Sequence, residues 1–507
     1  MSAKPIRRSA LLALALLMAA AVPVRATTPP TFTVVDSIRA GVDASYGLSY
    51  SSSGVIGDDL YFSANDGVNG FELWRTNGTS TTRVKDINLG AGSSYPTAFT
   101  AFGSYLYFGA DNGTDGFELW RTDGTEVGTT LVKDIYPGAD SSSLGYFTAL
   151  GEYLYFSADD GTNGYELWRT DGTTAGTTLV KDINVGSSNS SLSNLAAFGG
   201  YLYFSADDGT NGTELWRTNG TTAGTTLVKD INTSMDSYPA GFTAFGDYLY
   251  FQAKDDLNGY ELWRTNGTVG GTTLVKDINP YSGDGYPYSS YPNQFIAFGD
   301  YLYFQADDGV TGGELWRTDG TAANTTRVAN IQPTGGGYPH IFTVFSSLLY
   351  FTADDGTSGY ELWRTNGTEV GTMRVADIVP GPDGGYPFSL TTLGDYLYFV
   401  ASDGMRSVVH RTDGSVVERV PFPIDADQSV MCMCNPLTAL GGRLFSSVYS
   451  EATGTEFAYL DEPTYRLPET NRTTGTSSAW TVALSTLALI TLAVGVGLRR
   501  RSGAAQR

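Results

Sequence analysis

Short apolar runs alternate with short polar turns over most of this chain. The runs are four to seven residues long, rich in β-branched and aromatic side chains, and bounded by Gly, Asp or Asn. In one clear copy they occupy 153–158, 165–170 and 177–183. This pattern predicts β-strands joined by tight turns rather than helices. The Asp-Gly or Asn-Gly pair after each Trp-Arg-Thr supplies residues that tolerate a hairpin turn.

One pentapeptide, Glu-Leu-Trp-Arg-Thr, returns seven times at a nearly constant spacing. Its tryptophans are Trp74, Trp120, Trp168, Trp216, Trp263, Trp316 and Trp363. The steps between them are 46, 48, 48, 47, 53 and 47 residues. A unit recurring at this period indicates a modular array, and four short strands in about 47 residues match one blade of a β-propeller.

Alternation within the pentapeptide predicts how each blade packs. In an extended strand, Glu166 and Trp168 lie on one face, and Tyr165 and Leu167 on the other. Because both faces carry large apolar groups, we expect each blade to be covered on both sides, with the tryptophans filling the space between blades. We expect the repeated Glu and Arg side chains to form a cross-strand or inter-blade ladder of ion pairs.

The array continues beyond the seventh pentapeptide. Residues 408–414 align with the motif, with His410 in the tryptophan position, and 437–458 align with three strands of a further unit. Residues 31–38 resemble the strand that ends each complete unit, so we expect both ends of the array to share one blade and close a ring. The predicted fold is all-β, a single propeller of eight or nine four-stranded blades within 27–460.

The repeated units resemble a known family. Copies such as 118–125, Glu-Leu-Trp-Arg-Thr-Asp-Gly-Thr, are similar to the ELWxxDGT repeats of secreted and surface proteins. Matching copies extend from about residue 55 to 420. The resemblance implies no particular activity.

The two ends of the chain predict export and anchoring. Residues 1–26 combine basic residues, an apolar run and a small-residue cleavage site, which is typical of a secretory signal peptide. Residues 480–498 form a 19-residue run without a charge, followed by three arginines. This run is long enough for a transmembrane helix, with 499–507 as a basic cytoplasmic tail and the propeller outside the cell.

A polar stalk, 461–479, precedes this run and contains a short motif. The motif consists of Leu467, Pro468, Glu469, Thr470 and Asn471. It resembles the LPXTG sorting signal, which implies that a sortase joins Thr470 to the cell envelope, although Asn471 stands where glycine is usual. A plain single-pass anchor is the alternative, and in a eukaryotic host Asn471 begins a glycosylation sequon.

Charge narrows the range of partners. The chain of 507 residues has 53 acidic and 31 basic residues, a formal net charge of -22. Nucleic acids and anionic bilayers attract basic surfaces, so neither is an expected partner. Cations, neutral glycans and basic proteins remain compatible with this charge.

No catalytic site is predicted, because almost every polar residue is repeated around the array whereas catalysis needs groups that meet at one spot. We interpret His340 and His410 as packing or surface residues. Cys432 and Cys434 are interpreted as a strained disulfide or two buried thiols, since zinc needs more ligands.

The Asp-Asp-Gly-Thr-Asn-Gly turns offer oxygen ligands that calcium accepts. The weak candidates are Asp159, Asp160, Asn163, Asp207, Asp208 and Asn211. We favour the alternative, in which these side chains bond to the backbone of their own turn.

The longest departure from the repeat lies in the 53-residue step and predicts a ligand-binding loop. Its tyrosines are Tyr281, Tyr286, Tyr288 and Tyr291. Adaptable aromatic loops on rigid scaffolds often bind ligands, although loop drift in a tolerant array is the alternative.

Taken with the predicted anchor, these features favour a monomeric surface propeller that recognises or adheres to an extracellular glycan or protein. The alternatives are a glycan-active enzyme with its site at the mouth of the channel, and a purely structural surface coat.

Overall fold

The computed structural model describes residues 31–35, 38, 53–283, 286–421, 437–450 and 454–461. Within these ranges the regular structure is entirely β, and no helix is present that could cross a membrane. The described strands form nine four-stranded antiparallel sheets and one two-stranded hairpin. The predicted all-β propeller is confirmed, and its blades number nine in the described chain.

The strands follow the repeat unit closely in blades 1 to 4. The first strand is β1 (Thr33–Val34). Blade 1 contains β2 (Gly54–Ile56), β3 (Asp59–Asn65), β4 (Phe71–Thr76) and β5 (Thr81–Lys85). Blade 2 contains β6 (Thr97–Phe102), β7 (Tyr105–Asp111), β8 (Phe117–Thr122) and β9 (Thr130–Lys133). Blade 3 contains β10 (Gly145–Leu150), β11 (Tyr153–Asp159), β12 (Tyr165–Thr170) and β13 (Thr178–Lys181). Blade 4 contains β14 (Ser193–Phe198), β15 (Tyr201–Asp207), β16 (Thr213–Thr218) and β17 (Thr226–Lys229).

Blades 5 to 9 continue the pattern with one inserted hairpin. Blade 5 contains β18 (Ala240–Phe245), β19 (Tyr248–Asp255), β20 (Gly259–Thr265) and β21 (Thr273–Lys276), and the hairpin follows as β22 (Ser282–Gly283) and β23 (Tyr286–Pro287). Blade 6 contains β24 (Asn293–Phe298), β25 (Tyr301–Asp307), β26 (Gly313–Thr318) and β27 (Thr326–Ala329). Blade 7 contains β28 (His340–Phe345), β29 (Leu348–Asp354), β30 (Tyr360–Thr365) and β31 (Met373–Arg374). Blade 8 contains β32 (Phe388–Leu393), β33 (Tyr396–Ser402), β34 (Ser407–Thr412) and β35 (Val417–Arg419). Blade 9 contains β36 (Thr438–Leu440), β37 (Arg443–Ser450), β38 (Gly454–Asp461) and β1.

The four strands of a blade are called inner, second, third and outer, in that order. Inner strands of successive blades contact one another, so they line the central channel. Since neighbouring strands are antiparallel, the connections between blades and the turns between second and third strands lie on one face of the ring. We call this the upper face and the opposite one the lower face.

The ring is closed by strands from the two ends of the described chain. Thr33 of β1 pairs with Tyr459 of β38, and Phe32 is fully buried in the core shared by blades 8 and 9. Blade 9 also reaches blade 1, where the Arg443 guanidinium donates a 2.6 Å hydrogen bond to the carbonyl of Asn77. These contacts confirm that both ends share one blade.

Each hydrophobic core lies between two blades rather than inside one. Trp168 of blade 3 packs on Tyr107 and Ile135 of blade 2, whereas Leu167 faces the other way and packs with Phe204 of blade 4. Six of the seven repeat tryptophans are at most 9% exposed. The alternation of the third strand therefore places its two large apolar residues in two different interfaces.

Lysines of the outer strands cover the tryptophans of the next blade. The Lys133 amine lies 5.5 Å from the centre of the Trp168 ring and donates a 2.9 Å hydrogen bond to the Thr177 carbonyl. In blade 6 the lysine position holds Ala329, and the next tryptophan, Trp363, is only half-buried. A lysine at this position thus completes the burial of the indole.

The predicted ladder of Glu–Arg ion pairs is wrong. Arg169 stacks on the Tyr153 ring at 4.2 Å and donates a 2.7 Å hydrogen bond to the Gly220 carbonyl of the next blade. Glu166 lies toward the upper end of the same strand, where its carboxylate accepts a 2.8 Å hydrogen bond from the Ile183 amide. The arginine therefore joins blades through a carbonyl on the lower face.

Replacing Trp168 by alanine should lower the free energy of unfolding by about 3–5 kcal/mol, because it empties a closely packed interface between blades. Trp363→Ala is the matched variant and should cost less, since that indole is already partly exposed. Urea unfolding followed by circular dichroism measures both. Equal losses would contradict the covering role of the lysine.

Candidate binding face

Exposed tyrosines recur on the upper face, in the connections that lead into the inner strands. They are Tyr95, Tyr238, Tyr291, Tyr338 and Tyr386, which we call the upper tyrosines. Each precedes a proline, has a left-handed backbone with φ between 42° and 47°, and is 49–57% exposed. Bulky residues seldom adopt this conformation, and a following proline restricts the backbone further.

The backbone of these connections does not require tyrosine. Ser143 and Ser191 occupy the same position in the connections into blades 3 and 4, with φ of 48° and 51°. A large aromatic side chain that is half in solvent at a strained position gains little from burial. Because serines carry the same strain, the choice of an exposed aromatic residue at five of these positions is what points to a role for the side chain.

Buried glutamates hold these connections in place. The glutamates of the seven pentapeptides, Glu72, Glu118, Glu166, Glu214, Glu261, Glu314 and Glu361, are completely buried. In blade 5 the Glu261 carboxylate accepts hydrogen bonds from the Ser290 amide at 2.9 Å and the Ser290 hydroxyl at 2.6 Å, and from the Ile278 amide at 2.8 Å. Ser290 immediately precedes Tyr291, so the carboxylate fixes the backbone that presents this ring.

The same arrangement lies beneath every upper tyrosine. The amides preceding these tyrosines donate to the carboxylates in the pairs Ser94–Glu72, Ser237–Glu214, Gly337–Glu314 and Gly385–Glu361. Burial raises the pKa of Glu261 to about 7, although its hydrogen bonds favour the charged form. In five pentapeptides the repeated glutamate thus positions an upper-face tyrosine that lies more than twenty residues further along the chain.

Several upper tyrosines lie against a second aromatic ring. Tyr291 stacks on Tyr260 with ring centres 5.4 Å apart, and Tyr95 stacks in the same way on Phe71 at 5.5 Å. Tyr386 lies 5.4 Å from Tyr360. One side of each ring is therefore covered while much of the side chain stays open to solvent, which makes a flat platform.

A cavity of about 550 Å³ opens beside two of these platforms, on the upper face of blades 4 and 5. Its lining is Ser191, Ser193, Asn194, Ser205, Asp207, Thr213, Asp236, Tyr238, Pro239, Ala240, Gln252, Tyr260 and Tyr291. The Tyr238 hydroxyl donates a 2.8 Å hydrogen bond to Asp236, whose other oxygen accepts one from the Thr213 amide at 2.6 Å. Burial opposes ionisation of Asp236, but these hydrogen bonds outweigh it and lower its pKa.

A second cavity of about 350 Å³ lies on the channel wall and shares Asn194 with the first. Each inner strand from blade 2 to blade 8 has a left-handed residue at its second position, and in blade 5 this residue is Gly241. The neighbouring blades carry the side chains of Asn194 and Gln294 there. Because Gly241 has no side chain, a hollow remains between those two amides.

The predicted tyrosine loop is divided between two places. Tyr281 and Tyr288 flank the β22–β23 hairpin and are about half exposed, and Tyr288 donates its amide to the Tyr281 carbonyl at 2.9 Å. Tyr291 lines the cavity, whereas the side chain of Tyr286 lies outside the described residues. The prediction omitted the other four upper tyrosines, although the recurring Tyr-Pro dipeptide was a signal that could have revealed them.

The calcium candidates are engaged within their own turns. Asp160 accepts hydrogen bonds from the amides of Thr162 and Asn163, and from the Asn163 side chain at 2.8 Å. The Asp159 carboxylate accepts the Gly161 amide at 2.7 Å. Asp207, Asp208 and Asn211 repeat this pattern. Among the described residues, no group of three or more His, Cys, Asp or Glu is arranged to hold a metal ion.

The two histidines have different surroundings. His410 is 6% exposed, stacks on Phe399 at 5.5 Å, and burial lowers its pKa to about 4. His340 follows Tyr338 and Pro339 on the upper face and meets the edge of the Tyr360 ring at 5.3 Å. Cys432, Cys434, the predicted signal peptide, the predicted sorting motif and the 480–498 segment lie outside the described residues.

Comparison with known proteins adds no family. A scan against protein-family models and a search of curated proteins both find no match. Similar solved structures include a prolyl endopeptidase, with 14% identity over 70% of this chain and 54% of that chain and a TM-score of 0.41. Puromycin hydrolase is 14% identical over 75% of this chain and 62% of that chain, with a TM-score of 0.34. Oligopeptidase B from Leishmania major is 11% identical over 70% of this chain and 53% of that chain, with a TM-score of 0.38. This chain spans little more than half the length of these proteins, and we infer no activity from the similarity.

The buried glutamates should make the protein more stable in mild acid. A glutamate whose pKa is 4.5 unfolded and about 7 folded binds more protons in the folded state, so stability falls as pH rises between these values. Glu261→Gln should reduce the loss between about pH 5 and pH 8 by about 1–3 kcal/mol, measured by urea unfolding.

Glu152→Gln is the control for this substitution, because Glu152 is exposed in a lower-face turn. It should leave the pH dependence unchanged. If the E261Q protein lost as much stability as the wild type across this range, the carboxylate would not be the group that titrates.

Proposed function

We propose that this protein is a surface recognition propeller that binds its ligand with the upper face. The observation that carries the proposal is the set of five strained, half-exposed upper tyrosines on one face, each following an amide bonded to a buried glutamate. Rigid presentation of aromatic side chains on loops suits binding, because little conformational entropy is lost when a ligand contacts them.

Charge and predicted topology support the same proposal. A net charge of -22 disfavours polyanionic ligands, so neutral glycans or basic proteins are the expected classes of partner. The predicted signal peptide and the predicted transmembrane or sortase-processed tail would hold the propeller outside the cell. The resemblance to ELWxxDGT repeats of secreted and surface proteins is compatible with this location.

The test replaces all five upper tyrosines by serine, the residue that two connections already carry at the same φ. The full-length protein is purified in detergent and applied to an array of neutral and acidic oligosaccharides and to immobilised bacterial and animal cells. We expect the wild type to bind and the variant to lose at least about tenfold in affinity, because the aromatic contact area is gone.

The control replaces three exposed lower-face valines, Val127, Val269 and Val370, by serine. It should bind as the wild type does. Equal loss in both variants would contradict an upper-face site. Release of reducing ends or cleaved esters from the bound probes would instead favour the enzyme.

A further inference from the structure

We propose that the cavity beside Tyr238 and Tyr291 is a subsite for one uncharged sugar ring of a glycan, an assignment that rests on the proposed recognition function. The cavity volume of about 550 Å³ lies within the range of small-molecule sites. It also contains both kinds of surface that a sugar ring needs, a flat aromatic face and closely spaced polar groups.

The aromatic part is an open platform rather than a cage. Tyr260 and Tyr291 are nearly parallel, with an interplanar angle of 26°, so they stack on each other instead of facing each other across the cavity. Enclosure of a quaternary ammonium requires rings that surround it. One stacked pair with an open side therefore fits the flat C–H face of a pyranose better than it fits a quaternary ammonium.

The polar part supplies acceptors and donors for hydroxyl groups. Asp207 and Asp236 provide carboxylate oxygens, Asn194 and Gln252 provide amides, and serine and threonine hydroxyls lie between them. Carboxylates accept hydrogen bonds from sugar hydroxyls, whereas the amide and hydroxyl groups can both donate and accept. Most blades have a smaller residue in the position of Gln252, such as Ser205 in blade 4, although blade 6 also carries a glutamine there, Gln305.

The charges in the cavity favour a neutral ligand. The described residues that line it include two carboxylates and neither lysine nor arginine. Phosphate, sulfate and uronic or sialic acids are usually bound by basic side chains, so acidic glycans are disfavoured. Asp236 is already satisfied by Thr213 and Tyr238, so it does not need a cationic ligand as a partner.

Asymmetry places the subsite in these blades rather than equally around the ring. The hollow at Gly241 continues the cavity toward the channel wall between Asn194 and Gln294. A glycan held on the platform therefore has room for a second sugar ring beside Phe242 and Phe295. The other blades of this series carry a side chain where blade 5 has glycine.

Two substitutions test the assignment in the full-length protein. Tyr291→Ala removes the platform. Gly241→Asn fills the hollow with the residue that blade 4 carries at a similar φ, and its Cβ would lie 3.1 Å from the Phe295 ring, which must shift by a few tenths of an ångström. Tyr386→Ala is the comparison variant, because it removes an equally exposed upper tyrosine outside the cavity, and Val370→Ala on the lower face is the control. Circular dichroism and the thermal midpoint check that each variant is folded.

The probes are an array of neutral and acidic oligosaccharides, followed by calorimetric titration with the neutral oligosaccharide that binds most tightly. Tetramethylammonium and a decaproline peptide are titrated in parallel, as probes for a quaternary ammonium ligand and a proline-rich ligand. Tyr291→Ala and Gly241→Asn should each weaken binding of the neutral oligosaccharide at least about tenfold, and Tyr386→Ala less than about threefold. Acidic oligosaccharides should bind more weakly than neutral ones.

Several outcomes would overturn the subsite. Equal weakening by Tyr386→Ala would mean that the sugar lies across the whole face, which leaves the proposed function intact. Binding of tetramethylammonium or decaproline that is lost in Tyr291→Ala, without sugar binding, would assign the cavity to another ligand class. If no neutral oligosaccharide bound while cells still bound through the five tyrosines, the sugar assignment would fail and upper-face recognition would stand. If neither neutral oligosaccharides nor cells bound through the five tyrosines, the proposed function would fail as well.

Discussion

A buried carboxylate that accepts hydrogen bonds from backbone amides is the interaction on which the upper face of this propeller depends. Desolvation makes an isolated buried charge costly, so the surrounding donors must be held in register for the carboxylate to be tolerated. In blade 5 those donors belong to Ile278 and Ser290, at the two ends of one connection between blades. The glutamate thereby couples the interior of a blade to the loop that crosses to its neighbour.

The lower face is joined by cationic side chains instead of carboxylates, but both faces use backbone groups as partners. There, Lys133 and Arg169 reach carbonyl groups of the next blade, so the links depend on backbone position more than on the identity of the partner side chain. The upper connections also bond through their backbone. The insertion that contains the β22–β23 hairpin can therefore lengthen one connection while both of its ends stay fixed to Glu261.

Much of the fold could be predicted from the sequence, because period and alternation report directly on blade number and on the two buried faces of a strand. The ion-pair ladder failed because both charges bond to the backbone instead, Glu166 to an amide of the upper connection and Arg169 to a carbonyl on the lower face. The site was harder to predict. The left-handed conformation of Tyr238 and the register shift that contains Gly241 are features of the backbone, which composition and spacing do not reveal.

The shared ninth blade also has a consequence for the order of assembly. Strand β1 is synthesised before any complete blade, but its pairing partner β38 is the last strand of the described chain. Phe32 must therefore wait without its core until blades 8 and 9 exist, and contacts of such long sequence separation form slowly. The eight blades between them can stack one after another from local contacts, as repeat units do. Ring closure therefore cannot precede the synthesis of β38, whereas stacking of the earlier blades can.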